Sequence, residues 1–201
     1  FILPVDDYLK KVKRRCEEMG ALLVLDEIQP GFGRTGKMFG FEHFDVAPDV
    51  VVMGKALGGG LPIGAFSASK KLMGQLEDRP KLGHITTFGG NPVIATAALT
   101  TVNEIISTKL INKIDQKEKI FRENLKHPLI KKISGKGLML APIFEQAEIP
   151  DYLVHHCIKK GLLLFWLLWE KNAIRISPPL NITKEEILKG CQIIRETLDQ
   201  I

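Results

Sequence analysis

The sequence predicts an α/β protein: part of a mostly parallel sheet, followed by a smaller α+β unit at the C-terminal end. Three observations carry this reading. Two apolar runs, Ala21-Leu22-Leu23-Val24-Leu25 and Val50-Val51-Val52-Met53, show no alternation and read as strands buried on both faces, as in a parallel sheet. Segments with helical spacing lie around and after those strands. Past residue 107 the character changes, and the whole formal excess of +5 falls in 108–201. The boundary is therefore placed near 108, giving units of residues 1–107 and 108–201.

In chain order, Asp6 to Met19 has helical spacing with its charges outward, and Gly20 suits the position just past a helix end. The first apolar run then stops abruptly at Asp26-Glu27. Residues 30–49, rich in glycine, proline and aromatics, read as a long loop. Asp49 to Met53 is a second strand ending at Gly54-Lys55, and Ile63 to Ala68 a third. Asn91 as cap and Pro92 at the first helical position open a helix to about Ser107. Beyond the boundary, Leu110 to Lys126 reads as a long charged helix, and Leu138 to Phe144 as a strand after Gly135-Lys136-Gly137. Asp151 to Lys160 is a helix stopped by Gly161. Leu162 to Phe165 and Ala173 to Ser177 are short strands, and Thr183-Lys184-Glu185-Glu186 is a capping box for the last helix.

Several function classes are disfavoured. With 201 residues, 45% hydrophobic and 25% charged, the chain can bury a core and has ordinary globular composition. Its longest strongly apolar stretch, Leu162 to Trp169, is too short to span a bilayer and reads as a buried strand or pocket wall. Phe1-Ile2-Leu3-Pro4-Val5-Asp6-Asp7 lacks the basic region and long apolar core of a signal peptide. Cys16, Cys157 and Cys191 are odd in number and far apart, which favours a reducing, cytoplasmic compartment and argues against a zinc site. His155 and His156 are adjacent on a presumed helix and cannot both face one ligand, so no metal is expected. The C-terminal basic residues are interleaved with acids, as on a solvated surface rather than a nucleic-acid site.

Two strand ends hold chemistry. Asp26 stands where the first apolar run stops, and open parallel sheets bind ligands outside the carboxyl ends of their strands. A buried carboxylate there needs a cation or hydrogen-bond donors; it also suits a loop cap. Lys55 follows the second strand and precedes Gly58-Gly59-Gly60. Desolvation of such a lysine would make its amine a competent nucleophile. The glycines allow close backbone approach or left-handed turns. Lys55 with its glycines also suits a plain turn, and the order is neither that of a dinucleotide fingerprint nor that of a phosphate loop.

The combination is more specific than its parts. Leu22-Leu23-Val24-Leu25-Asp26-Glu27-Ile28-Gln29, Gly31-Phe32-Gly33-Arg34-Thr35-Gly36, Pro48-Asp49, Lys55-Ala56-Leu57-Gly58-Gly59-Gly60-Leu61-Pro62-Ile63-Gly64 and Thr86-Thr87-Phe88-Gly89-Gly90-Asn91-Pro92 occur in that order. This pattern closely resembles the signature of class III pyridoxal-phosphate-dependent aminotransferases, the ornithine, acetylornithine and 4-aminobutyrate group. The likeness continues more loosely through Gly135-Lys136-Gly137-Leu138 and Ile174-Arg175-Ile176-Ser177-Pro178-Pro179-Leu180. Pro30, where a small hydroxyl residue is usual, and Ser134, where arginine is frequent, depart from the pattern.

The resemblance implies a fold-type I transferase. Residues 1–107 correspond to the C-terminal part of the cofactor-binding large domain, and 108–201 to the small domain. Asp26 matches the aspartate that pairs with the pyridinium nitrogen of pyridoxal 5'-phosphate and keeps it protonated. Gln29 matches the side chain that bonds the cofactor's phenolic oxygen. Lys55 matches the catalytic lysine that carries the cofactor and moves the substrate Cα proton. Thr87 matches a threonine that donates to the cofactor phosphate from the neighbouring subunit, implying a homodimer with shared sites. Arg175 matches the arginine that grips the substrate carboxylate, a task for which the guanidinium fork is suited. Arg34 is expected to organise its own glycine-rich loop. Phe165-Trp166-Leu167-Leu168-Trp169 is either a wall of the substrate pocket or a packed strand.

The implied activity is transfer of a terminal amino group, from a donor such as ornithine, acetylornithine, lysine or 4-aminobutyrate, to 2-oxoglutarate. An aminomutase or racemase with the same cofactor is the alternative enzyme, and a non-catalytic module derived from the fold the alternative outside enzymes. The likeness spans only the C-terminal half of a family member. The other half carries the main phosphate-binding turn, the ring that stacks on the cofactor and a glutamate that pairs with the residue matching Arg175. The 201 residues alone are therefore expected to be inactive, with uncovered sheet edges.

Overall fold

In the computed structural model the chain is described throughout except at residues 6, 79, 82 and 83. The described residues gather into two units. One holds Pro4–Gly33 and Lys37–Lys109; the other holds Phe1–Leu3, Arg34–Gly36 and Leu110–Ile201.

In the first unit, helix α1 is Tyr8–Glu18; the expected start at Asp6 lies outside the described residues. Gly20 has φ +65, the left-handed geometry that ends a helix cheaply only without a side chain. The apolar run that follows becomes strand β1 only over Val24–Asp26. β1 pairs in parallel with β2, Val50–Gly54, and β2 pairs antiparallel with β3, Gly64–Ala68. The order is β1-β2-β3, so only one of the two pairings is parallel.

Full burial of the strands, expected from their unbroken apolar runs, is not what the structure shows. Leu22, Val24 and Phe66 are exposed, whereas Leu23 is buried. Among the described residues β1 has a single neighbour, and Gly64, Phe66 and Ser67 of β3 are exposed. Short helices α2 (Lys70–Met73) and α3 (Gln75–Asp78), unmarked by apolar periodicity, follow β3. Helix α4, Pro92–Ser107, has Asn91 as cap; its Oδ1 accepts from Val93 N and Ile94 N at 3.0 and 3.3 Å.

The second unit has the denser core. Leu110–Lys113 is a 3₁₀ turn, so the α-helix expected from residue 110 begins later, as α5 over Ile114–Asn124. Strand β4, Lys132–Lys136, escaped the sequence because Lys132, Ser134, Gly135 and Lys136 lack strand patterning. It forms an antiparallel hairpin with β5, Met139–Ile143. Helix α6 is Glu148–Cys157, extended by a 3₁₀ turn to Lys160 and ended by Gly161 at φ +82. The strand expected at 162–165 starts only at its last residue: β6 is Phe165–Leu167, hydrogen-bonded to β7, Glu170–Arg175. The four strands run β4-β5-β7-β6.

Helix α7, Lys184–Leu198, opens with the expected capping box. Thr183 Oγ1 accepts from Glu186 N at 3.2 Å, and Glu186 Oε2 accepts from Thr183 N at 2.8 Å. Ile114, Leu125, Leu138, Leu140, Leu153, Ile174 and Ile187 are fully buried together. α5 also clamps the hairpin turn. Arg122 donates to the carbonyls of Ile133 and Gly135 at 2.8 and 2.7 Å, while Glu118 accepts from Gly137 N at 2.6 Å.

Candidate active site

Asp26 is the last residue of β1, and Lys55 directly follows Gly54, the last residue of β2. The strands are parallel, with Asp26 opposite Val52. Neighbouring strands lie about 4.8 Å apart, so both residues stand at the same carboxyl-terminal end of the sheet, where open sheets bind ligands.

Asp26 is exposed rather than buried. Its Oδ1 accepts from Ile28 N at 2.9 Å, a local turn bond that orients the carboxylate. Among the described residues nothing pairs with its second oxygen. Lys55 is also exposed, not covered by the rest of this chain as expected. What distinguishes it is the backbone: φ is +39, a left-handed geometry that costs energy in any residue with a side chain. Such strain is concentrated at ligand sites. Among the described residues the Lys55 amine forms no ion pair.

The glycines beside Lys55 serve the chain's own packing more than open approach. A Cβ on Gly58 would lie 3.1 Å from the Ile63 side chain, and one on Gly59 only 2.2 Å from Thr101 Oγ1. They seat the turn Lys55–Gly58 against α4. Only Gly60, at φ +107, faces open space.

Gln29 is half-buried in the turn three residues past Asp26. Thr87 is exposed in the turn leading to α4, which is closed by Gly89 N donating to Thr86 O at 3.2 Å. No hydrogen bond among the described residues joins Gln29 or Thr87 to Asp26 or Lys55. Arg175 belongs to the second unit, where it ends β7 and lies with Cζ 4.9 Å from the centroid of the Phe165 ring.

Two supporting residues have roles the sequence did not disclose. Glu27 is buried beside Asp26 and accepts from Gly40 N and Phe41 N at 2.8 and 3.0 Å, so it anchors the far side of the loop after β1. Burial pushes its pKa up, against the pull of those two bonds. Its signal was an acid joined to an apolar strand, which alone does not say what the acid meets. Arg34 does not organise its own loop as expected. Its Nη1 donates to the carbonyl oxygens of Leu138 and Pro178, both in the second unit with it. Burial pushes its pKa below that of an ordinary guanidinium.

The family described as aminotransferase class III matches residues 1–198. The chain belongs to the class III aminotransferase family. It is 40% identical over 203 residues to an acetylornithine aminotransferase of Caldanaerobacter subterraneus subsp. tengcongensis, covering 97% of this chain and 49% of that protein. It is 38% identical over 207 residues to a putrescine aminotransferase of Pectobacterium atrosepticum, covering 100% of this chain and 44% of that protein. A solved Bacillus anthracis aminotransferase matches with a TM-score of 0.92 and 31% identity, over 100% of this chain and 49% of that one. The chain thus spans about half the length of the curated relatives it matches. The fold is that of the fold-type I transferases, a family that depends on pyridoxal phosphate.

The residues present fit that cofactor chemically. Among the described residues, Asp26 offers a carboxylate oxygen with no other partner, Lys55 an uncommitted primary amine and Thr87 an exposed hydroxyl. These are an acceptor for a ring N–H, a nucleophile for a carbonyl and a donor for a phosphate.

Proposed function

We propose that the whole protein is a pyridoxal-phosphate-dependent aminotransferase that moves a terminal amino group from a donor amino acid to 2-oxoglutarate. The observation that carries this is the placing of Asp26 and Lys55 at the ends of adjacent parallel strands, with Lys55 in a strained backbone geometry. Residues 1–107 then belong to the cofactor-binding large domain and 108–201 form the small domain. The names of the acetylornithine and putrescine relatives support a donor with a terminal amine; ornithine, acetylornithine, lysine and 4-aminobutyrate all qualify.

Bound pyridoxal phosphate would supply the sink for the electron pair left when the carbon bearing the donor's amino group loses its proton. Asp26 holds a proton on the ring nitrogen, which keeps that sink effective. Gln29 hydrogen-bonds the phenolic oxygen. Lys55 Nζ would hold the cofactor, and its amine, when free, would carry the proton from the carbon that bears the donor's amino group. Thr87 donates its hydroxyl to the phosphate from the partner subunit of a homodimer. Arg175 grips the carboxylate of the amino acid or 2-oxo acid through two parallel bonds. Three free cysteines support a cytoplasmic setting.

Borohydride reduction of the cofactor-loaded full polypeptide, followed by peptide mapping, tests this reading. The label is expected on Lys55. A label on Lys70 or Lys71 overturns the assignment. Dependence on 2-oxoglutarate separates a transferase from an isomerase of the same family, which needs no acceptor.

A further inference from the structure

Lys55 sits at φ +39, and a left-handed backbone in a residue with a side chain persists only where its surroundings hold it. Two restraints flank it along the chain. On one side Gly54 is paired with Gly64 in the β2–β3 ladder. On the other, the 3₁₀ turn Lys55–Gly58 ends at Gly59, φ +58, whose N–H donates to Ala56 O at 3.2 Å. Gly59 rests directly on α4: a Cβ there would run into Thr101 Oγ1 and would lie 3.7 Å from Ala97 O. Not even a methyl group fits between Gly59 and Thr101, and both belong to one unit, so the contact is complete within this chain.

The hydroxyl under Gly59 is itself fixed. Thr101 Oγ1 donates to Ala97 O at 2.8 Å, the back-bond that selects a threonine rotamer within a helix. Thr96 and Thr100 make the same kind of bond on exposed positions of α4, so what singles out Thr101 is its place under Gly59. We propose that Thr101 is a positioning residue for Lys55, acting through Gly59: its hydroxyl fixes the far end of the turn, so that Lys55 keeps the left-handed backbone from which its amine reaches the cofactor. This rests on the reading of Lys55 as the lysine that holds pyridoxal phosphate.

The test uses the full polypeptide with two readouts. One is hydrogen exchange at the amides of residues 59 and 61, which close the turn onto Ala56 O and Gly58 O, measured without cofactor. The other is kcat against KM with cofactor loaded. Gly59→Ala drives a methyl into Thr101 Oγ1, and faster exchange at both amides is expected. A displaced catalytic amine should lower kcat about ten- to a hundredfold, with KM changed less than about threefold. Thr101→Ala frees the turn without a clash, and a fall in kcat of about three- to tenfold is expected. Thr101→Ser keeps the hydroxyl and its bond to Ala97 O, and is expected to behave as the unaltered protein does. The double variant Gly59→Ala with Thr101→Ala gives the new methyl the room of the lost hydroxyl, and should recover part of what Gly59→Ala alone loses. If Gly59→Ala costs as much with Thr101→Ala as without it, the loss comes from the left-handed backbone at residue 59 alone and the inference is overturned. It is also overturned if Thr101→Ser loses as much as Thr101→Ala, or if Thr101→Ala leaves both exchange and kcat unchanged. Faster exchange in Gly59→Ala with kcat unchanged shows a seat that does not serve Lys55, and overturns it too. A borohydride label on another lysine of the unaltered protein removes the reading of Lys55 itself, and the inference falls with it, whatever the exchange shows.

Discussion

Lys13 Nζ lies 2.9 Å from both carboxylate oxygens of Asp49, and Asp49 Oδ2 also accepts from Leu23 N at 2.8 Å. One aspartate therefore fastens α1 to the entrance of β2 and to the residue before β1. The Lys13 contact, followed by the Leu23 amide, holds the Asp49 carboxyl below its ordinary pKa. A depressed carboxylate pKa stabilises the folded state above the unfolded value, about 3.9, and that contribution is lost as pH falls through the folded value. Asp49→Asn is expected to lower the melting temperature by a few degrees near neutral pH. The gap should close in acid. Melting curves across that range check this, and a gap that persists once the carboxylate is protonated contradicts it.

Arg34 is expected to matter through its carbonyl partners. Arg34→Met leaves the Leu138 and Pro178 oxygens without their guanidinium donor. Bonds to charged donors contribute about 1.5–3 kcal/mol each in favourable settings, so a loss of roughly 1–3 kcal/mol is expected. Both tryptophans, Trp166 and Trp169, lie in the same unit as Arg34, so their fluorescence during urea unfolding reports on that unit. An unchanged midpoint would show that water replaces the guanidinium without cost.

How far the fold was legible follows from what each pattern encodes. Caps are local chemistry, so Asn91-Pro92 and Thr183-Glu186 marked their helices correctly. The two apolar runs located β1 and β2, because few other structures take an unbroken run of β-branched and leucine residues. Pairing is not local, so the antiparallel direction of β3 and the existence of β4 were not readable. At the site, Asp26 and Lys55 were conspicuous because charge interrupts apolar sequence. The exposure of both was not legible, since it depends on what covers the strand ends. Arg34 was assigned to its own loop because sequence distance hides bonds to residues as far away as Leu138 and Pro178. The Phe165–Arg175 contact was hidden for the same reason: its register is set by the irregular pairing at Trp166/Leu167.

Asp26→Asn separates folding from chemistry. The amide oxygen still accepts from Ile28 N, so the turn after β1 is expected to keep its form. A neutral amide cannot hold the cofactor's ring nitrogen protonated. Loss of a charge-assisted contact costs about 1.5–3 kcal/mol, which corresponds to a fall in kcat of roughly ten- to a hundredfold. Turnover of the cofactor-loaded full polypeptide, measured beside its melting temperature, checks both halves. A kcat near that of the unaltered protein would remove Asp26 from the proposed role.

Glu27 should respond to pH in the opposite sense from Asp49. Its folded pKa is raised, chiefly by burial. A raised carboxyl pKa means that its stabilising contribution is complete below the unfolded value and is lost as pH rises through the folded one. Glu27→Gln cannot titrate, and its amide presents an N–H₂ where one of the two backbone donors, Gly40 N or Phe41 N, needs an oxygen. An unsatisfied buried donor costs about 1–3 kcal/mol, so the substitution should loosen the loop at every pH. The loosening should be greater at acidic pH, where the unaltered glutamate is protonated and contributes most, and smaller at neutral pH. Protection of the Gly40 and Phe41 amides against hydrogen exchange, corrected for the intrinsic rate at each pH, reads this locally. Equal loss of protection at both ends of the range, or greater loss at neutral pH, would show that burial does not govern this carboxyl.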